Sequence, residues 1–183
     1  MLEALVRNWG WLLFRAVLAV SYGMAAFAWR DNAFVSFVYL FGFYAIFDGM
    51  AALAIAIDVK AAHGFGSLLL ESLVRIAGGL IALGEPRVVV AFPQFFAAWA
   101  ILAGAAEIVV AIVLRRELVG EWPLPFAGAM SIMTAILLLI AIPVIEGVPS
   151  FKWLVGPYTI IYGVSLLALT RRLHQLAQEM DAG

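Results

Sequence analysis

A six-residue signature occurs three times along the chain and marks a repeated structural unit. An aromatic residue, a small residue, Ile and, three residues later, Gly recur in the segments 44–49 (YAIFDG), 99–104 (WAILAG) and 158–163 (YTIIYG). The copies are separated by 55 and 59 residues. A long and nearly constant period is typical of one supersecondary unit used several times. The signature therefore predicts three tandem copies of one unit.

The composition places this unit in a membrane. Hydrophobic residues make up 66% of the 183 residues and charged residues only 13%, whereas soluble domains carry about 25% charged residues. A helix needs about 20 apolar residues to cross the ~30 Å hydrocarbon layer, and lipid leaves no hydrogen-bond partner for an open backbone. We therefore predict an all-α, single transmembrane domain over residues 1–183. Its six apolar stretches are 9–28, 33–57, 67–84, 88–114, 123–145 and 153–170.

The six predicted spans form three two-helix hairpins, at residues 8–60, 63–116 and 121–172, followed by a basic tail at 171–183. Each hairpin begins and ends on the same side, which predicts a pseudo-axis along the membrane normal and disfavours the inverted repeats common in transporters. An excess of Lys and Arg marks the cytoplasmic side and predicts both termini there. One side carries Arg7, Lys60, Arg115, Arg116, Arg171 and Arg172, and the other Arg30, Arg87 and Lys152.

Small residues predict where the helices approach closely. Each signature contains a small-xxx-Gly pair, which lets two helix backbones pack tightly in lipid. The expected packing glycines are Gly49, Gly104 and Gly163 on the even-numbered helices and Gly23 and Gly79 on the first and third, with Ala135 at the matching place in the fifth. Prolines at 93 and 157 are expected to kink helices four and six.

Five ionisable residues lie inside the predicted spans and are the candidate site: Arg15, Asp48, Glu71, Arg75 and Glu107. A charge at mid-bilayer costs about 2.5–3.5 kcal/mol on insertion scales, so these side chains are expected to face the bundle interior. Depths estimated from the helical rise place them all in or near the inner half of the bundle. We therefore predict one polar layer.

Pairing within the layer follows from spacing. Glu71 and Arg75 are four residues apart on one helix and are expected to form an ion pair. Arg15 and Glu71 hold equivalent repeat positions, each eight residues before a packing glycine, and the pseudo-axis would bring them together. Two cations then face three carboxylates, and Glu107 is the expected surplus group because its own helix offers no basic neighbour. The third repeat has no ionisable candidate and is interpreted as an apolar packing or oligomer surface.

Two interpretations of this layer stay open. It is either an electrostatic staple that fixes the register of the helices, or a site that responds to protons or forms part of a conduction path. The outer halves of the predicted spans are almost wholly apolar, which favours a non-conducting protein.

Other chemistry has no support in the sequence. There is no cysteine, which excludes disulfides and thiolate metal sites, and no phosphate-binding loop, nucleophile elbow or zinc-binding helix motif occurs. His63 and His174 are expected in solvated regions. A net charge of −1 argues against a nucleic-acid partner. We therefore expect no enzyme activity, no cofactor and no metal.

The chain resembles the HdeD family of bacterial acid-resistance membrane proteins. The resemblance rests on the three signatures and on residues 8–15 (NWGWLLFR), 69–72 (LLES) and 106–122 (AEIVVAIVLRRELVGEW). It implies a six-helix protein of the bacterial inner membrane that supports survival of acid and other stress. The first hypothesis is a non-enzymatic stress-resistance protein that stabilises the envelope or partner proteins and whose buried charge layer responds to pH. The lipid bilayer, a homo-oligomer and unidentified proteins are the expected partners. The alternative is a small channel or transporter for protons or small solutes.

Overall fold

The computed structural model describes residues 6–28, 34–59, 65–114, 123–141 and 148–181, and within these ranges the chain is helical, with no strand. The helices are α1 (Trp9–Ala28), α2 (Phe34–Asp58), α3 (Phe65–Gly84), α4 (Pro86–Val90), α5 (Phe92–Leu114), α6 (Pro123–Ala141) and α7 (Val148–Asp181). The predicted all-α class is confirmed for this part of the chain.

Among the described residues, five helices are long and apolar enough to cross a membrane: α1, α2, α3, α5 and α7. The apolar part of α6, Pro125–Ala141, is shorter. The predicted fifth span ran to residue 145, and residues 142–145 lie outside the described part of the chain, as do residues 30–32, between the first two predicted spans, and His63. The structure therefore supports a multi-pass membrane protein.

Helix boundaries differ from the prediction at the fourth and sixth apolar stretches. The stretch at 88–114 is interrupted at Ala91, where the backbone leaves the helical region (φ −107°, ψ 27°). Pro93 therefore lies in the first turn of α5, where its missing N–H costs no hydrogen bond, and the predicted kink of one continuous helix there was wrong. Pro157 lies inside α7, which continues through the basic tail to Asp181.

The helices pack as a closed ring of antiparallel neighbours. The most extensive contacts join α2 to α3, α5 to α6 and α7 to α1, and smaller contacts join α1 to α2, α3 to α5 and α6 to α7. Each signature helix thus packs most closely against the first helix of the next repeat, and the third signature helix closes the ring on the first repeat. The two helices of a hairpin are consecutive in the chain, whereas the most extensive helix contacts are between helices of different repeats.

Glycines create these close contacts. A Cβ atom at Gly79 would lie 2.6 Å from the carbonyl oxygen of Gly42, and one at Gly104 would lie 2.7 Å from the carbonyl oxygen of Gly128. At the third contact, a Cβ at Gly163 would lie 2.8 Å from the carbonyl oxygen of Ala16. Because these neighbours are backbone atoms, only a residue without a side chain permits this approach.

The first helix of the third repeat makes its close backbone contact at a different repeat position from Gly79. The repeat alignment drew attention to Ala135, which is fully buried in α6, but the backbone contact with Gly104 is made by Gly128, seven residues earlier. Gly128 was not singled out from the sequence, because the first two repeats carry Ala16 and Ser72 at its place.

Two apolar clusters fill the interior of the ring. The first is rich in aromatic rings, including Tyr22, Phe41, Tyr44, Phe92, Phe96, Trp99 and Tyr158. The second is aliphatic and includes Leu12, Ile55, Leu68, Val110, Leu169 and Leu173.

The close contact at Gly79 yields a test of this packing. We expect Gly79→Ala to lower the free energy of unfolding by about 1–3 kcal/mol, because the methyl group must push two helix backbones apart. Gly66→Ala on the same helix is the matched control, since no atom lies within 4 Å of its added Cβ. Denaturant unfolding of the purified protein in detergent measures both. Equal stability of the two variants would contradict the close α2–α3 contact.

Candidate functional site: a buried charge network

All five candidate residues lie in the interior of the bundle, on four different helices. Their relative exposures are 3% for Arg15, 0% for Asp48, 1% for Glu71, 2% for Arg75 and 1% for Glu107. Charged side chains are almost never buried to this extent without a partner. The structure joins all five in one network of ion pairs.

Arg75 occupies the centre of this network. Its Nη1 donates to Asp48 Oδ2, its Nη2 donates to Glu107 Oε1, and its Nε donates to Glu71 Oε1 at 3.1 Å. A planar guanidinium offers five N–H donors in a fixed fork and can therefore serve several carboxylates at once. The predicted contact between Glu71 and Arg75, one turn apart on α3, is present.

Arg15 binds two of the same carboxylates. Its Nε donates to Asp48 Oδ1 at 2.8 Å and its Nη2 donates to Glu71 Oε1 at 2.6 Å. Asp48 and Glu71 thus each bridge both arginines, and the expected proximity of Arg15 and Glu71 is present. Charge-assisted bonds of this kind are about twice as strong as neutral ones.

Tyr162 is the member of the network that sequence reasoning missed. Its hydroxyl donates to Glu107 Oε1 at 2.6 Å and accepts from Arg75 Nη2 at 2.9 Å and from Arg15 Nη2 at 3.2 Å. The Arg75 guanidinium carbon also lies 5.6 Å from the ring centroid, a cation–π distance. The third repeat therefore contributes to the polar layer, and interpreting it as purely apolar was wrong.

A signal for Tyr162 was present in the repeat itself. Tyr162 precedes the signature glycine Gly163, just as Asp48 precedes Gly49. The second repeat has Ala103 at this place. Because Tyr162 holds the repeat position of Asp48, its hydroxyl group could have been predicted to belong to the polar layer.

Glu107 has one oxygen atom left over. Its Oε1 accepts from Arg75 and Tyr162, whereas its Oε2 is buried and has no hydrogen-bond partner among the described residues. With every group ionised, two guanidinium groups face three carboxylates, so the network carries one surplus negative charge. An uncompensated charge in a low-dielectric interior is costly.

Apolar side chains enclose the network on both sides. Along α1, α3 and α5, the charged positions lie between members of the aliphatic cluster, such as Leu12, Leu68 and Val110, and members of the aromatic cluster, such as Tyr22 and Trp99. The aromatic residues that begin the three signatures are all buried on the aromatic side. The described residues that enclose the network are thus mostly apolar, and the polar atoms on the aromatic side are themselves buried, among them Tyr22 Oη, Trp99 Nε1 and the hydrogen-bonded hydroxyls of Ser131 and Tyr158.

The second histidine, His174, is a half-buried residue near one end of the bundle. Its ring packs on Trp9 with centroids 4.4 Å apart, and its Nε2 lies 3.2 Å from Gln178 Nε2. No group of three His, Cys, Asp or Glu side chains suited to a metal ion occurs in the described ranges.

Comparison with known proteins identifies the repeat. The family described as "short repeat of unknown function (DUF308)" matches residues 14–84 and again residues 70–140. The chain belongs to this family. The two matches are offset by 56 residues, which is also the spacing between Arg15 and Glu71 and between Gly23 and Gly79. The DUF308 match thus confirms an internal repeat. No curated protein and no solved structure matches the chain.

The central position of Arg75 generates a stability prediction. We expect Arg75→Met to lower the free energy of unfolding by about 3–5 kcal/mol, because the change leaves buried carboxylates without their shared counter-charge. Arg87→Met is the matched control, since the Arg87 side chain is 93% exposed and surface changes typically stay within about 0.5 kcal/mol. Unfolding in detergent by denaturant measures both, and a wild-type-like Arg75→Met protein would contradict the network.

Proposed function

We propose that this protein is a non-enzymatic, six-span protein of the bacterial inner membrane that supports survival of acid and other stress. Two observations support the assignment: the DUF308 repeat, which is a signature of HdeD-like membrane proteins, and the resemblance to HdeD over residues 8–15 and 106–122. The excess of Lys and Arg on one side of the spans supports cytoplasmic termini.

The observation that carries the proposal is the enclosure of the charge network between two apolar clusters. Conduction requires polar groups or water along the whole path, because an ion cannot cross an apolar layer without a large desolvation cost. Here the aromatic and aliphatic clusters lie above and below the ionisable groups. This arrangement favours a stable bundle over a channel or transporter.

The same geometry disfavours catalysis. A catalytic acid, base or nucleophile must reach a substrate within hydrogen-bond distance. Each of the five ionisable side chains instead contacts another member of the network and is at most 3% exposed. The outer surface presents large apolar side chains that fit lipid, such as Phe14, Met24, Phe43, Leu102 and Ile140.

A survival assay tests the proposed role. Bacteria that lack their own copy of the gene would be exposed to acid while expressing the wild-type protein, Arg75→Met or the control Arg87→Met. We expect wild type and Arg87→Met to restore survival and Arg75→Met to fail because too little folded protein reaches the membrane, which immunoblots of the membrane fraction would check. No rescue by well-expressed wild type would contradict the role.

Proton flux distinguishes the alternative function. The purified protein would be placed in liposomes that contain a pH-sensitive dye, and an external acid step would be applied, with empty liposomes as control. We expect no flux above the control because the network is enclosed. Flux that Glu107→Gln abolishes would identify a conducting protein and contradict the proposal.

A further inference from the structure

We propose that Glu107 Oε2 is a proton-binding site in the enclosed network, and that the bound proton makes the fold more stable as the pH falls. The inference rests on the proposed function for its biological meaning. Its physical basis is one unpartnered oxygen atom and one surplus negative charge.

The surroundings of Glu107 define the site. A Cβ atom at Gly128 would lie 3.2 Å from Glu107 Cβ, so α6 faces this side chain with a residue that has no charge. Titratable or charged groups of other helices lie near it. They are Arg15 on α1, Glu71 and Arg75 on α3, and Tyr158 and Tyr162 on α7, while Asp48 on α2, with Tyr44 near it, is bound to the same Arg75 guanidinium.

Burial without a hydrogen-bond partner singles out Glu107 among the three carboxylates, because its Oε2 is the one carboxylate oxygen among the described residues of the network that is buried and unpartnered. Both oxygens of Asp48 accept from an arginine, and Glu71 Oε1 accepts from both arginines. A proton on either oxygen of Asp48 would replace a charge-assisted bond. A proton on Glu107 Oε2 would break no described hydrogen bond, because only Oε1 is engaged.

The charge balance supplies the direction of the effect. With all groups ionised, the network has one negative charge in excess, and a single proton makes it neutral. In the unfolded chain the Glu107 carboxylate is hydrated and therefore binds a proton less readily. Because the folded protein binds it more readily, the free energy of unfolding rises as the pH falls and decreases as the pH rises. This direction is opposite to ordinary acid denaturation, and it suits a protein that must stay folded under acid stress.

The pH dependence of thermal unfolding tests the inference. Wild type, Glu107→Gln and the control Glu85→Gln would be heated in detergent at pH 8, 7, 6 and 5. We expect the wild-type Tm to rise on acidification by roughly 2–4 °C or more. Glu107→Gln should start near the acidic wild-type value and change little, since its amide has the charge of the protonated acid. Glu85→Gln should behave as wild type, because Glu85 is exposed and outside the network.

Two outcomes would overturn the inference: a wild-type Tm that does not rise in acid, or the same rise in Glu107→Gln. The second outcome would place the responsible group elsewhere. A buried water molecule that donates to Oε2 would satisfy the oxygen without changing its charge, and it predicts the first outcome.

Infrared spectroscopy gives an independent readout, whose main comparison is between two pH values of the wild-type protein. A buried, protonated carboxyl group has a carbonyl band distinct from that of a carboxylate, and this band should grow between pH 8 and pH 5 in wild type and be missing in Glu107→Gln. Its absence from wild type in acid would overturn the proton site. If no proton binds at Glu107 but the protein still restores acid survival, the proton site is wrong and the proposed function is retained. If the proton binds but the protein does not restore survival, the proposed function is wrong and the proton site is retained.

Discussion

The structure depends on one constraint: charged side chains buried in an apolar bundle must compensate one another within the protein. Arg15 and Arg75 are each at most 3% exposed, and their counter-charges come from three helices, α2, α3 and α5. Separation of α5 from α3, for example, would take the buried Glu107 carboxylate away from Arg75, the arginine that pairs with it. Such a network fixes the neighbours and the register of the helices, although buried ion pairs contribute little net stability compared with well-packed apolar residues.

The charge network depends on the glycine contacts. The signature glycine Gly49 directly follows Asp48, and its added Cβ would lie 2.9 Å from Arg75 Cβ. Gly163 follows Tyr162 and faces Ala16, the residue next to Arg15. The glycines thus bring the helix backbones close at the level of the polar groups, so that side chains from different repeats meet at hydrogen-bond distance. The three repeats share one backbone pattern but contribute different side chains, so the network is asymmetric. One equivalent position, for example, is Arg15 in the first repeat, Glu71 in the second and Ala127 in the third.

Much of this arrangement was predictable from the sequence, for identifiable reasons. Hydropathy located the apolar helices, and ionisable residues within apolar stretches are conspicuous because lipid tolerates them poorly. Helical spacing alone indicated the contact between Glu71 and Arg75. The partners of the helices were not predictable in the same way, since closest neighbours follow from backbone contacts such as Gly79 with Gly42 and not from the chain connections. Tyr162 was missed because a phenol counts as hydrophobic in composition, and its hydroxyl matters only once its neighbours are known.

The most direct test of the central claim is a double-mutant cycle between Arg75 and Glu107. Free energies of unfolding would be measured in detergent for wild type, Arg75→Met, Glu107→Gln and the double variant. A direct ion pair predicts that the double variant is more stable than the sum of the single effects by about 0.5–3 kcal/mol, because removing the surplus carboxylate relieves part of the charge left by Arg75→Met. Additive effects would mean that the two side chains do not interact, and would contradict a single buried network.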